Sequence, residues 1–338
     1  MEEPSFALVR LPGDPLDKIH CFTGPEVIKS TSIKDLSSFN GKTEFLFSPW
    51  NQTEILYKMD DFKGVFNLGE AFTWIDASHK REINQDNASF EFFAKSIEEA
   101  KIEIQSSQFE KVVLAREKFI DKDLDLTELG TVFYSLCKAH PHAFVYLFSS
   151  GNWGIWMGAS PETLINYDNA SVTTMSLAGT LFNEQENWSH KENQEQKVTS
   201  RFIEYCLNWN ASDEVHIREL KQGQLRHLMS VYTKPWEAND IPSLFLALSP
   251  TPAVCGNPRQ KALEFIETVE GFKRDLYAGF IGLRKPESLI TNVNLRCAEV
   301  GTNGVRLMAG CGINKESNAE REWEETALKM RVIEEYLS

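Results

Sequence analysis

Glu322, Glu325 and Lys329 stand at i, i+3 and i+7, behind the small-residue run Ala309-Gly310-Cys311-Gly312-Ile313. On a helix that spacing turns two carboxylates and an ammonium to one face. A second pair, Glu192 and Glu195, lies far upstream with the same E-x-x-E spacing. Each pair alone reads most simply as a solvated acidic face. Brought together, the four carboxylates form a candidate site for one hard divalent cation. Mg²⁺ takes oxygen ligands in an octahedron and keeps several waters, which a substrate oxygen can replace.

The elements that must position these groups follow from patterning. From Ser89 onward, Phe90, Phe93, Ile97, Ala100 and Ile104 recur at helical spacing. The run 110–120 alternates as a strand, and further strands are expected at 143–149, 153–158, 163–167 and 171–177. Residues 189–209 read as a helix, 215–220 and 225–232 as strands, and 241–248 and 260–269 as helices. Strands at 277–283, 288–298 and 304–308 precede a last helix at 317–337. Residues 1–85 read as irregular and strand-like, with turn signals at Pro12-Gly13-Asp14-Pro15 and Asn40-Gly41. Strands in runs with helices grouped between them predict an α+β fold with large mixed or antiparallel sheets.

Composition narrows the partners. The 338 residues carry a formal net charge of −14, which disfavours nucleic acid or an anionic membrane. Local cations and a metal can still reverse the potential inside a cleft. The six cysteines, at 21, 137, 206, 255, 297 and 311, form no C-x-x-C and no zinc spacing with histidine. Dispersed thiols predict a reduced, cytoplasmic protein. Met1-Glu2-Glu3-Pro4 lacks the basic and apolar parts of a signal peptide. No apolar run is long enough to cross a bilayer.

Five further segments carry chemistry as a set. They are Phe109-Glu110-Lys111-Val112-Val113-Leu114-Ala115-Arg116, Ala159-Ser160-Pro161-Glu162, Leu177-Ala178-Gly179-Thr180, Pro250-Thr251-Pro252-Ala253-Val254-Cys255-Gly256, and Arg274-x-x-Tyr277-Ala278-Gly279-x-Ile281-Gly282. Leu295-Arg296-Cys297-Ala298 and the C-terminal Gly/Glu segment complete them. In this order the set resembles the chorismate-utilising enzymes, the family of isochorismate, salicylate, anthranilate and aminodeoxychorismate synthases. The resemblance runs from about residue 85 to the end. It implies an α/β sandwich of two large, mostly antiparallel β-sheets packed face to face, with helices outside. It also implies a single chorismate-binding catalytic domain over 1–338, with 1–85 a variable part and 86–338 the motif-bearing core.

The resemblance assigns roles by position. Lys111 falls where water-adding members have lysine and amine-adding members usually have glutamine. It is the implied base for water attack at ring C2, a task that requires burial or nearby cations to bring its pKa down. Glu162 is the implied general acid for the departing 4-hydroxyl, and needs a raised pKa. Ala178 stands where aminodeoxychorismate synthases commonly carry a nucleophilic lysine, so no covalent route is expected. Gly179 and Thr180 are expected to offer backbone N–H and hydroxyl groups to a substrate carboxylate, with a simple β-turn as the alternative. Arg296 with Tyr277 resembles the clamp for the enolpyruvyl carboxylate. Lys329 is expected to face a carboxylate, and Gly310 and Gly312 to let the backbone approach substrate. His227 is expected near the ring, with a core histidine as the alternative. Arg274 is either a substrate contact or an ion-pair partner. Glu195 and Glu325 are the implied Mg²⁺ ligands, with Glu192 and Glu322 acting through waters.

Several positions depart from the family pattern: Ser249 for a frequent His, Ser176 for Pro, Gln196 for His and Cys311 for Ala. No glutamine amidotransferase segment is present, and no such obligate subunit is expected. The expected reaction is isomerisation of chorismate to isochorismate. Salicylate synthesis, which adds a pyruvate elimination, is the nearest rival. An ammonia-using synthase and an inactive chorismate-binding homologue are the others.

Overall fold

The computed structural model describes residues 5–24, 28–30, 32–52, 54–76, 78–181, 187–210, 215–222 and 225–337. Met1–Pro4 lies outside these. Among the described residues, two nine-stranded sheets hold the chain, and every strand pairing is antiparallel. The first runs Gly256–Asn257, Lys111–Ile120, Val305–Ile313, Cys297–Val300, Gly154–Ser160, Phe144–Ser150, Ser5–Arg10, Ile19–Gly24, Phe62–Phe66. The second runs His216–Gln222, Leu225–Pro235, Ser171–Leu181, Thr163–Asp168, Leu289–Val293, Phe280–Arg284, Glu44–Ser48, Leu56–Met59, Ile28–Ser30.

Aromatic side chains join the sheets. Phe45 and Phe47 of the second sheet meet Phe148 of the first at centroid distances of 5.6 and 4.9 Å. Period-two alternation sends Val145, Leu147, Ile155 and Met157 to the other face of the first sheet. There they bury with Leu129, Phe133, Met330 and Ile333 of the helices Leu126–Ala139 and Ala319–Glu334. A third cluster joins Val112 and Leu114 to the helices Phe90–Gln105 and Arg259–Val269. The α+β sandwich expected from the sequence is therefore the fold found. No described helix is long and apolar enough to cross a membrane.

Local expectations fare unevenly. The helix after Ser89 forms where expected; Ser89 accepts a hydrogen bond from the Phe92 N–H, and Phe93, Ile97, Ala100 and Ile104 are buried. The helix Leu126–Ala139 is not among the expected elements, although Asp125 and Glu128 form a capping box at its start. The expected strand 288–298 is two strands, because the chain passes from the second sheet to the first at 294–296 and Arg296 adopts φ +50°. Residues 1–85 supply three strands to each sheet, so they are built into the sandwich.

Candidate active site

The strand Lys111–Ile120 pairs with Val305–Ile313 in a register that sets Val113 opposite Gly312 and Ala115 opposite Gly310. Lys111 and Val113 share a strand face, and the glycines opposite leave room beside them. A Cβ on Gly312 would come within 2.7 Å of Lys111 Cε and would also strike Glu195 Oε2. Gly312 therefore lets a lysine from the sheet and a glutamate from the helix His190–Leu207 occupy one small space.

Two corners complete the wall. Glu162 lies where the chain leaves the strand Gly154–Ser160 for Thr163–Asp168 of the other sheet, and Arg296 lies at the reverse crossing. The corners brace each other: Val293 N–H donates to Glu162 O at 3.0 Å, and Ala159 N–H donates to Arg296 O at 3.0 Å. Sequence-local signals do not show such crossings, yet here they carry an acid and a cation to one cavity.

That cavity collects most of the expected residues: Lys111, Glu162, Ala178, Gly179, Thr180, Glu195, His227, Tyr277, Arg296, Gly310, Gly312, Glu325 and Lys329 all line it. Ala178–Thr180 is a bulge within the strand Ser171–Leu181 and not a turn. Gly179 has φ +75°, and a Cβ there would come within 2.9 Å of Glu192 O, so glycine suits both the conformation and the close approach. Gln196 holds the bulge: its Oε1 accepts from Ala178 N–H at 3.1 Å, and its Nε2 donates to Ser230 Oγ at 2.9 Å. A second cavity, of about 560 Å³, meets the first at Lys111 and Glu195.

Burial sets the protonation states. Lys111 is 2 % exposed. Burial lowers its pKa; Lys329 and Lys191 lower it further, against Glu195, whose Oε2 lies 3.6 Å from Lys111 Nζ. Burial raises Glu162 to about 8 despite Lys111, Lys329 and Arg296, and its Oε1 is buried without a hydrogen-bond partner. The base is pushed towards its neutral form and the acid towards its protonated form. Each is the state its role requires.

Cations line the same space. Lys329 Nζ donates to Gly310 O at 2.8 Å and pairs with Glu325 Oε1 at 2.7 Å. Burial pushes the Glu325 carboxyl up, but Lys329 and Lys191 outweigh it and hold it low. Burial and the neighbouring carboxylates Glu325 and Glu195 raise Glu322, with Lys191 opposing. Arg296 Nη2 lies 3.1 Å from His227 Nε2, while Arg296 Nη1 is buried and unpartnered. Arginine only donates, so His227 Nε2 accepts. Burial, with Arg296 and Lys329, lowers His227 to about 3 and keeps it neutral. Its proton then sits on Nδ1, which faces Thr180 Oγ1 at 3.2 Å and Gly179 O at 3.4 Å. His227 thus aims Arg296 and leaves one guanidinium nitrogen for a ligand.

Three expected residues stand outside the cavity. Arg274 is a framework residue and not a substrate contact. It pairs with Glu270, donates to Val254 O and Val113 O at 2.8 Å each, and lies 4.2 Å above the Trp50 ring. Glu192 forms a capping box with Ser189, which draws its carboxylate to the helix start. Glu322 meets Lys191 Nζ at 2.8 Å, and its Oε2 remains buried and unpartnered.

Lys191 is the charged residue the motif reading passes over. It stands i, i+4 to Glu195, the spacing of helix neighbours, and that signal was available in the sequence. Among the described residues no three carboxylate, imidazole or thiol groups form a complete metal cage. Buried Glu195 Oε1 and Glu322 Oε2 lack hydrogen-bond partners, and Glu325 lines the cavity with Glu195. A cation that keeps most of its water fits this donor set better than one needing a full protein cage.

A buried lysine, a buried glutamic acid and further inward-facing cations around one cavity are the groups that acid–base chemistry on a small anion would need. A family model described as chorismate binding enzyme matches residues 67–338, and the chain belongs to that family. It is 29 % identical over 255 residues to isochorismate synthase MenF of Bacillus subtilis, a match covering 70 % of this chain and 53 % of that protein. It is 28 % identical over 261 residues to isochorismate synthase EntC of Escherichia coli, covering 71 % of this chain and 66 % of that protein. The chain therefore spans about half to two thirds of the length of these curated relatives. Its fold superposes on the crystal structure of DhbC from Bacillus anthracis with a TM-score of 0.80 at 20 % identity, covering 98 % of this chain and 96 % of that one.

Proposed function

We propose that this protein is a Mg²⁺-dependent isochorismate synthase. The observation that carries the reading is the presence of Lys111, pushed towards neutrality, and Glu162, held protonated to about pH 8, on one cavity. Lys111 takes a proton from the water that attacks ring C2. Glu162 gives a proton to the hydroxyl leaving C4, and the two ring double bonds move from C1–C2 and C5–C6 to C1–C6 and C4–C5. Arg296, aimed by His227, binds the enolpyruvyl carboxylate through its free Nη1. Glu195 and Glu325, assisted by Glu322, would hold Mg²⁺. When bound, the metal supplies positive charge to the ring carboxylate. Both relatives reported above are named isochorismate synthases, which supports the same reading. The reaction needs no ammonia and hence no amidotransferase subunit.

The test is a product assay with purified protein, chorismate and Mg²⁺, with and without EDTA. Isochorismate formed only with the metal is the expected result. Salicylate with stoichiometric pyruvate would replace this reading by a salicylate synthase. Chorismate binding with no turnover would make the chain an inactive homologue.

A further inference from the structure

Lys191 stands in the first turn of the helix His190–Leu207, one residue before Glu192. A cation there opposes the helix dipole, so the helix itself does not favour it. What holds it is the carboxylate cluster. Its Nζ lies 2.8 Å from Glu322 Oε1 and 3.4 Å from Glu195 Oε1, bridging the two helices that carry the glutamate pairs. Its side chain is 16 % exposed, near the edge of the cluster. Lys329, another ammonium at the cluster, is additionally anchored by the Gly310 carbonyl; the Lys191 ammonium meets carboxylates. A lysine has a flexible four-carbon stem and can withdraw its charge, unlike a wide guanidinium locked in a fork.

We propose that Lys191 is a built-in, displaceable cation: it holds the glutamates together while the metal is away and yields to the metal when it binds. Without a cation, Glu195, Glu322 and Glu325 would repel one another across the helix junction. With Lys191 in place that repulsion is reduced, and the arriving divalent ion must compete with it. Coupling of this kind is reciprocal: whatever steadies the metal-free form lowers the metal affinity by the same factor. The inference rests on the metal reading above.

Two substitutions of opposite sign test it, read by Mg²⁺ titration calorimetry and by thermal unfolding in EDTA. Lys191→Met should tighten Mg²⁺ binding by about tenfold, within the usual range of site coupling. It should also lower the unfolding temperature in EDTA and enlarge the rise that Mg²⁺ produces. Lys191→Arg keeps the charge and grips carboxylates more rigidly, so it should fold without metal and bind Mg²⁺ more weakly than the wild type. If Lys191→Met does not fold in EDTA, Lys191→Arg decides. Unchanged or weaker Mg²⁺ binding by Lys191→Met, or unchanged or tighter binding by Lys191→Arg, overturns the inference while leaving the metal site standing. No Mg²⁺ binding by the wild type overturns both.

Discussion

Arg274 and Arg296 are both buried and come from one short stretch of chain, and sequence alone offers either to a substrate carboxylate. Arg274 spends its guanidinium on Glu270 and two backbone carbonyls and lies over an indole ring. Arg296 has one nitrogen on a neutral histidine and another buried with no partner. The first is saturated and ties strand to loop. The second carries a desolvated charge that the protein leaves incomplete. Such incompleteness costs stability unless a ligand supplies the missing partner. Residual capacity, rather than charge or burial, separates the arginine that could still take a ligand from the one that cannot. Glu162 Oε1 and Glu322 Oε2 share that residual capacity.

The division can be attacked from both sides. On the cavity side, Lys111→Ala should lower kcat by about 10²–10⁴, the usual worth of one general base. Its urea midpoint should stay close to that of the wild type; near-normal turnover would remove Lys111 from the chemistry. On the framework side, Arg274→Met strands the Glu270 carboxylate and should cost about 3–5 kcal/mol of stability, as for other broken buried pairs. Arg296→Met should keep its fold but raise KM by roughly thirtyfold, corresponding to about 2 kcal/mol of lost charge pairing. If urea unfolding and steady-state kinetics show the reverse assignment, the comparison fails.

The smallest effect concerns pH. Between the ordinary value of 4.5 and about 8, native Glu162 retains a proton that the unfolded chain has released. Its contribution to stability therefore falls as pH rises through that window. Glu162→Gln should remove this slope from urea midpoints measured at pH 5 and pH 8. Turnover should climb as Lys111 sheds its proton and then fall as pH rises through about 8, where the acid ionises. A kcat that stays flat above pH 8 would make Glu162 structural.

Much of the site was legible because its chemistry needs particular residue types in a particular order. Lys111, Glu162, Glu195, Arg296 and Glu325 converge as that order implied. The helix after Ser89 was legible from one cap and one apolar stripe. What stayed hidden depends on tertiary partners. Nothing local distinguishes a saturated Arg274 from an unsaturated Arg296, or shows that Glu192 is drawn to Ser189. The strand that breaks at 294–296 looks continuous because its apolar alternation survives while the chain changes sheets. The helix Leu126–Ala139 and the proximity of Lys191 to Glu195 left local signals, in a capping box and an i, i+4 spacing, that motif reading passes over.

The strand that carries Lys111 has both its neighbours, Val305–Ile313 and Gly256–Asn257, far later in the chain. On a ribosome, residue 111 emerges long before either partner exists. Until then the lysine is an ordinary solvated ammonium on an unpaired edge. Pairings of such long sequence separation slow folding and leave edges exposed to other chains. The buried place of Lys111 therefore comes into being late in synthesis, when the glycine strand closes over it. Growing chains of this protein should depend on chaperone shielding of that edge more than their final stability would suggest.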